Sequence, residues 1–415
     1  MSNRQLGKIT RRSLMQAGVT TGLSTTICGA GEVPVAAAVA PPLSPLLPDA
    51  MEYLTHDADF IPIERGNPLP YKQPEEKLKS IGMTRDTWSM EVLPDLATGT
   101  KINHPLSKAG GTEFTFGDLM NLAKTRSVQY LKVISCNNLS SPLGMGLWEG
   151  VPLRDVIWQA KPISDIRRVV YFGHHNEDPK QMFRGSLPMG RVLEDPPGHH
   201  PVILAYKVNG DWLSGSRGGP VRIIVPEAYG FKNVKWIKTV LLTNLFAAND
   251  TYADENNDID SWMKTCARVL SFPNEIRAGA TFQVTGVAQI GISGLKKVQY
   301  WLQPAGAAQQ PADPYFTTAP WQDAALFGPP INWGGGLPGG KLPAGVRGFE
   351  PGAPEPHWPQ RYTINHWKAT LTAPVKGEYV LRCRTIDGND VAQPMPRPLP
   401  KSGINDIEEV SIRAV

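Results

Sequence analysis

Asn209-Gly-Asp-Trp-Leu-Ser-Gly-Ser-Arg217-Gly-Gly-Pro-Val-Arg222 is a polar, glycine-rich run between two short apolar runs. Val202-Ile-Leu-Ala-Tyr-Lys-Val208 precedes it, and Val221-Arg-Ile-Ile-Val225 follows its glycines and ends at Pro226. Short runs rich in β-branched residues and bounded by Gly and Pro read as strands. Outward from this core the same scale repeats. Phe114-Thr-Phe-Gly-Asp-Leu-Met-Asn-Leu122 reads as strand then helix, and Tyr130-Leu-Lys-Val-Ile-Ser135 as a buried strand ending at Cys136. Leu153-Arg-Asp-Val-Ile-Trp158 starts a helix, Val169-Val-Tyr-Phe172 is a strand, and Val234 to Leu242 ends the mixed region. This pattern predicts an α+β domain over 88–267.

Beyond Arg268 the helical period vanishes. Thr281–Ala288, Lys297–Leu302, His366–Leu371 and Glu378–Thr385 alternate as strands of a β-sandwich do, so 268–415 is expected to be an immunoglobulin-like β-sandwich. It is interrupted at 304–360, where Gly and Pro fill 22 of 57 positions. A connection of this length is an ordered excursion or a flexible loop, and either is usually functional or disordered.

Gly and Pro make up 79 of the 415 residues (40 + 39), which points to turns and strands, not a helical bundle. With 41% hydrophobic and 19% charged residues the chain is not disordered. Its formal charge of +4 includes +3 from residues 1–40 (Arg4, Lys8, Arg11 and Arg12 against Glu32). The remainder is near neutral, which excludes a nucleic-acid-binding reading. Arg11-Arg12 ahead of Leu14, then the small and apolar stretch to Ala40, read as a twin-arginine export signal. A soluble periplasmic protein with no membrane span is therefore expected, with a Pro-rich arm over 41–87.

Cysteine usage favours a functional thiol. Cys28 lies in the leader, so Cys136, Cys266 and Cys383 remain and cannot all pair. No Cys-x-x-Cys occurs, which excludes a zinc ribbon and a c-type haem site in this chain. Cys383, inside a strand, reads as a buried small residue. Two other signals fail. Gly335 to Lys341 has phosphate-loop spacing, but Leu342 follows instead of Ser or Thr. His174-His175 and His199-His200 would point to opposite faces of a strand and have no ligand partners at metal spacing.

Three segments carry the chemistry together: Val133-Ile-Ser-Cys136-Asn-Asn138 with Trp148-Glu-Gly-Val-Pro-Leu-Arg-Asp155; the Asn209–Arg222 run; and Gly230-Phe-Lys-Asn233-Val-Lys235-Trp236. In this order they resemble the sulfite oxidase family of molybdenum enzymes. Trp367, Gly377-Glu-Tyr379 and Arg384-Thr-Ile-Asp387 to Pro394 are similar to the end of that family's dimerisation domain. The resemblance spans about 60–300 and 360–395, and implies a molybdopterin-binding domain of sulfite oxidase type at 88–267 with dimerisation through 268–415.

It further implies a molybdenum–molybdopterin cofactor, with the Cys136 thiolate as soft metal ligand. Arg222 and Lys235 would hold the cofactor phosphate, with Asn233, Val234, His175, Asn67 and Arg217 as further cofactor contacts. Gly218 and Gly219 would admit the pterin. Arg65 of the arm, Arg217 and Tyr252 would face the substrate. The activity implied is oxygen-atom transfer on a small sulfur oxyanion, with electrons passed to a separate c-type cytochrome and the chain acting as a homodimer. Trp301, Trp367 and Tyr379 are expected in the dimer contact. Family members active on sulfite usually have histidine at the position of Arg217 and Gly-Asn-Arg after the cysteine, where this chain has Asn137-Asn138-Leu139-Ser140. Arg65 with Arg217 would give two fixed cations in one cavity unless Glu177 or Asp178 neutralises one. Reduction of an S- or N-oxide, and a non-catalytic binding protein that keeps the fold, are the alternatives.

Overall fold

The computed structural model describes residues 52–415 except 140, 164, 249, 252, 254–257, 261, 308–312, 350–357 and 395–402. The expected leader and Tyr252 lie outside the described residues.

Two sheets build the first region. Strands β1 (Ser89–Pro94), β2 (Phe114–Thr115), β5 (Arg168–Gly173), β6 (Arg184–Pro188) and β10 (Ile237–Thr243) form a sheet in the order β2-β1-β10-β5-β6, with β1 and β10 parallel. The second sheet, in the order β3-β4-β7-β8, uses β3 (Val128–Ser135), β4 (Pro142–Pro152), β7 (Ile203–Val208) and β8 (Asp211–Trp212). Strand β9 (Arg222–Ile224) pairs antiparallel with β7. After α1 (Glu75–Ser80), helices α2 (Phe116–Arg126), α3 (Leu153–Ile157) and α4 (Met189–Leu193) contribute to a core shared by both sheets, in which Leu119 and Val156 meet Val92, Tyr171, Leu204 and Val240. Helix α2 starts where it does because Thr115 and Asp118 form a capping box: each side chain accepts the other's backbone N–H.

Strand β3 has two buried faces. Tyr130 and Ile134 join Phe60 and Trp148 on one side, while Leu131 and Val133 join Leu54, Met145 and Trp333 on the other. Strand β4 contains Gly144, Gly146 and Gly150, residues more usual in turns than in strands. They are needed for close packing instead. A Cβ at Gly144 would stand 2.2 Å from the Phe60 ring, and one at Gly150 would meet the Leu204 carbonyl oxygen at 2.5 Å.

The second region has no α-helix among the described residues. Strands β11 (Cys266–Ser271), β13 (Thr281–Gln289), β16 (Ala325–Leu326) and β17 (Ile364–Thr372) make one sheet, in the order β11-β13-β17-β16. Strands β12 (Glu275–Ile276), β14 (Lys297–Pro304), β15 (Gln322–Asp323), β18 (Gly377–Ile386) and β19 (Glu408–Ala414) make the other, in the order β12-β19-β18-β14-β15. Both sheets contribute to one apolar core that includes Val269, Val284, Val298, Trp367, Leu381 and Ile412. Cys383 is buried there, as expected.

The aromatic residues expected at a dimer contact have other work. Trp367 and Tyr379 are inside this core. Trp301 is covered by Phe316, Trp321 and the Arg382 guanidinium. Trp367 and Tyr379 are buried within one chain, and Trp301 is half-buried against these neighbours. The described part of the 304–360 excursion is ordered against both regions, and no helix among the described residues is long and apolar enough to cross a membrane.

Candidate functional site

A cavity of about 310 Å³ lies where the chain leaves β3 and β5 and where it enters β9 and β10. Its wall includes Arg65, Cys136, His175, Arg217, Arg222, Asn233 and Lys235, brought together from five separate stretches of sequence.

Cys136 is the first residue past β3, and of the three described cysteines it alone is on this wall; none is in a disulfide. Its sulfur lies 3.9 Å from Asn137 Oδ1. Burial pushes the thiol pKa up, against the pull of the backbone N–H groups of Asn138, Leu139 and Asn137, which favour the thiolate. A metal cation at the sulfur would complete the deprotonation.

The same lining is also cationic. Arg222 is buried on β9, with its guanidinium 5.3 Å from the Trp148 ring centroid. Its two Nη atoms donate to the carbonyl oxygens of Arg217 (2.7 Å) and Asn233 (2.6 Å), and its buried Nε has no hydrogen bond. Lys235 Nζ donates to the Ile63 carbonyl at 3.1 Å. Burial first, and then the neighbouring arginine charge, push Arg222 down to about 9 and Lys235 down to about 7. Neither has an ion-pair partner among the described residues. An uncompensated buried charge costs several kcal/mol, so an anion in the cavity would stabilise the protonated forms of Arg222 and Lys235. The buried Nδ1 of His175 is likewise without a hydrogen bond.

Arg217 departs from expectation. Its Nε lies 3.5 Å from Asp57 Oδ1 of the arm, and its guanidinium covers the Phe60 ring at 5.0 Å. Asp57 is the neutralising acid, not Glu177 or Asp178; Asp178 instead caps the turn at Lys180. Arg65 donates from Nε to the Gln181 carbonyl at 3.3 Å and lies over Phe183.

The other expected cofactor contacts Asn67, Val234, Gly218 and Gly219 are not on this wall. Asn67 is off the cavity wall, its backbone N–H and C=O both taken by the Gln181 amide at 2.9 and 3.2 Å. Val234 is off the cavity wall and belongs to the apolar core, and its carbonyl accepts from the Ile223 N–H. Gly218 and Gly219 make room for protein: Cβ atoms there would stand 2.8 Å from Lys235 Cβ and 2.2 Å from the Leu213 carbonyl oxygen. Asn233 does line the cavity, but its side chain fastens the loop, accepting from Val225 N–H and donating to the Tyr229 carbonyl. His174 and His175 both line the wall, since β5 ends at Gly173 and strand alternation stops there. His199 and His200 are structural: one meets the Tyr362 hydroxyl at 2.7 Å, the other stacks on Tyr130.

Sequence reasoning missed Glu64, Gln181, Phe231 and Trp236 on the wall. It also missed the buried Lys232–Asp250 pair at 2.7 Å, which ties the 230–235 loop to Ser186. No spacing in the chain announces these contacts.

One thiol and two cations without ion-pair partners among the described residues, Arg222 buried and Lys235 half-buried, line one cavity, and they fit a metal cofactor that carries its own anionic group. Comparison with known proteins agrees. Residues 100–249 match the oxidoreductase molybdopterin-binding domain family. Mitochondrial sulfite oxidase of Drosophila melanogaster is 29% identical over 136 residues, 32% of this chain and 23% of that protein. NADPH nitrate reductase of Neurospora crassa is 31% identical over 104 residues, 24% of this chain and 10% of that enzyme. The chain thus matches less than a quarter of either relative's length. The sulfane dehydrogenase SoxCD of Paracoccus pantotrophus shares the fold over 80% of this chain and 76% of that one, with a TM-score of 0.55 and 16% identity. Residues 100–249 thus form a molybdopterin-binding oxidoreductase domain, similar in sequence to those of sulfite oxidase and nitrate reductase. Its cofactor is molybdenum–molybdopterin.

Proposed function

We propose that this protein is a periplasmic molybdenum oxidoreductase that oxidises a small sulfur oxyanion by oxygen-atom transfer and passes electrons to a separate c-type cytochrome. The observation that carries the reading is the cavity itself, lined by Cys136, by Arg222 and Lys235 without ion-pair partners among the described residues, and by Arg65 of the arm. In that site Arg222 and Lys235 would hold the cofactor phosphate as charged donors, and the Cys136 sulfur would be a ligand to the metal. The cofactor supplies two-electron oxygen-atom transfer; the protein supplies position and field. Arg65 orients the substrate anion. Arg217, already balanced by Asp57, acts on the arm and the cofactor side more than on the substrate. The Arg11-Arg12 leader supports export of a folded, loaded protein. A homodimer is part of the proposal, on the resemblance of 360–395 alone.

A second reading has its own support. Ile63, Leu143, Phe183 and Phe231 give the cavity wall an apolar stretch that would suit the body of an organic S-oxide, with reduction in place of oxidation. The test is metal analysis followed by a substrate panel on the loaded protein. Stoichiometric molybdenum with sulfite- or thiosulfate-dependent reduction of cytochrome c supports the first reading. Turnover of sulfoxides alone, with a reductant, replaces it by the second. Absence of molybdenum from protein made in a molybdenum-replete host leaves a non-catalytic binding protein.

A further inference from the structure

We infer that the Gly/Pro-rich excursion of the sandwich is a clamp that positions the N-terminal arm over the cavity, with Trp333 as its central positioning residue. The arm forms much of the cavity wall through Phe60, Ile61, Ile63, Glu64 and Arg65, yet its 57–69 stretch contains only a single 3-10 turn, Asp57–Asp59. A segment of this kind holds one conformation only if it is fastened from outside.

Contacts along the arm itself, Ile61 with Leu143, Ile63 with Lys235 and Asn67 with Gln181, hold it from the cavity side; its upstream anchor is at residues 52–55. The Leu54 N–H donates to the Trp333 carbonyl at 2.8 Å, and Leu54 bridges Gly334 as a parallel strand pair. The Tyr53 ring sits against Trp333 and Trp358 at 5.1 and 5.4 Å, and Trp333 is itself braced by Phe349 at 5.5 Å. The excursion reaches this place because Val346 bridges Gln129 on β3, where Arg347 N–H donates to the Gln129 carbonyl at 2.9 Å. Leu54 is consequently held against the same strand that ends at Cys136.

Gly335 shows how tight the join is. It has φ +62°, and a Cβ there would stand 2.5 Å from Leu54 Cβ and 2.8 Å from Asn209 Nδ2, the group that donates to the Thr55 carbonyl. The glycines that imitate a phosphate loop are therefore the seat of the arm. Rings in edge contact also resist sliding in a way that a single aliphatic contact does not. The functional consequence rests on the reading of Arg65 as a substrate contact; the clamp itself does not.

The experiment compares full-length, molybdenum-loaded wild type with Trp333→Ala, Gly335→Val and the conservative Trp333→Phe. Trp301→Ala, at the other end of the excursion and away from the arm, is the control. Trypsin cutting after Arg65 and Lys72 reports arm opening, since cleavage under native conditions follows the open population. Trp333→Ala and Gly335→Val are expected to raise the cutting rate about tenfold. Molybdenum content should hold, and KM should rise more than kcat falls. Trp333→Phe should restore most of the wild-type rate, and Trp301→Ala should match wild type. If Trp333→Ala does not fold, Gly335→Val decides. Unchanged cutting in Gly335→Val, or an equal increase in Trp301→Ala, overturns the clamp. Increased cutting with an unchanged KM keeps the clamp and instead removes Arg65 from the substrate.

Discussion

Arg222 in the first region and Arg382 in the sandwich look alike at first: both are buried, and both lie over a tryptophan ring, at 5.3 and 5.1 Å. Arg382 is complete within the protein. Its Nε donates to Glu409 at 2.6 Å, its Nη1 donates to Gln303 at 3.0 Å, and a second ring, Phe316, lies 4.6 Å away. Arg222 donates only to two carbonyl oxygens, keeps a buried Nε without a hydrogen bond, and has another arginine as its charged neighbour. A buried cation with all its partners in the chain is structure. A buried cation that lacks a counter-charge is half of an interaction, and the other half arrives with the cofactor.

The largest test of this contrast is at the thiol. Cys136→Ser should leave the fold and its denaturation midpoint unchanged and abolish turnover, because a hydroxyl is a harder and far less acidic ligand than a thiolate. Steady-state assay beside metal analysis checks it, and full activity would remove Cys136 from the metal.

Next come the two arginines as a pair. Arg222→Met should weaken cofactor retention by about 10- to 150-fold, the value of one charged hydrogen bond of ~1.5–3 kcal/mol. Arg382→Met should instead lower stability by about 1–2 kcal/mol while molybdenum per folded chain stays full. Urea titration and metal content on both variants separate the cases; the same phenotype from both would erase the comparison.

Lys235 gives a pH signature of intermediate size. In the cofactor-free protein its folded pKa, pushed down to about 7, lies below the ordinary lysine value of 10.5. Between these values the unfolded chain binds the extra proton, so stability should rise from pH 7 towards pH 10 and be lowest at and below pH 7. Lys132 and Lys238 are also pushed down to about 7 by burial, but they are common to wild type and Lys235→Met. The slope of urea midpoint against pH should therefore be shallower in Lys235→Met, and shallower again in loaded wild type. Equal slopes in all three would show that Lys235 does not face the anion.

Arg217→Ala should have the smallest effect. Because Asp57, half exposed, already balances the guanidinium, the loss is that of a partly solvated pair, about 0.2–1 kcal/mol. KM for an anionic substrate should rise no more than about fivefold, and less at high salt. A larger, salt-sensitive rise per loaded site would return Arg217 to the substrate.

The sequence by itself determined the parts whose signals are local. Strand–helix punctuation located β2–α2, β3, β5, β7 and β9 because apolar run length and turn residues act over a few positions. The sulfite oxidase resemblance found Cys136, Arg222 and Lys235, which the fold does bring to one wall. Only tertiary structure decided what each group meets. The purpose of Gly144 and Gly335 is visible only where Phe60 and Leu54 lie against them. Asp57 and Arg217 stand 160 residues apart (217 − 57), and no periodicity links them before the arm crosses the cavity. Trp301, Trp367 and Tyr379 look like interface residues in a sequence and prove to be covered within one chain. Hydrophobic period and turn chemistry are short-range, so they survive in one dimension. Counter-charge, close approach and cover depend on residues that only folding makes neighbours.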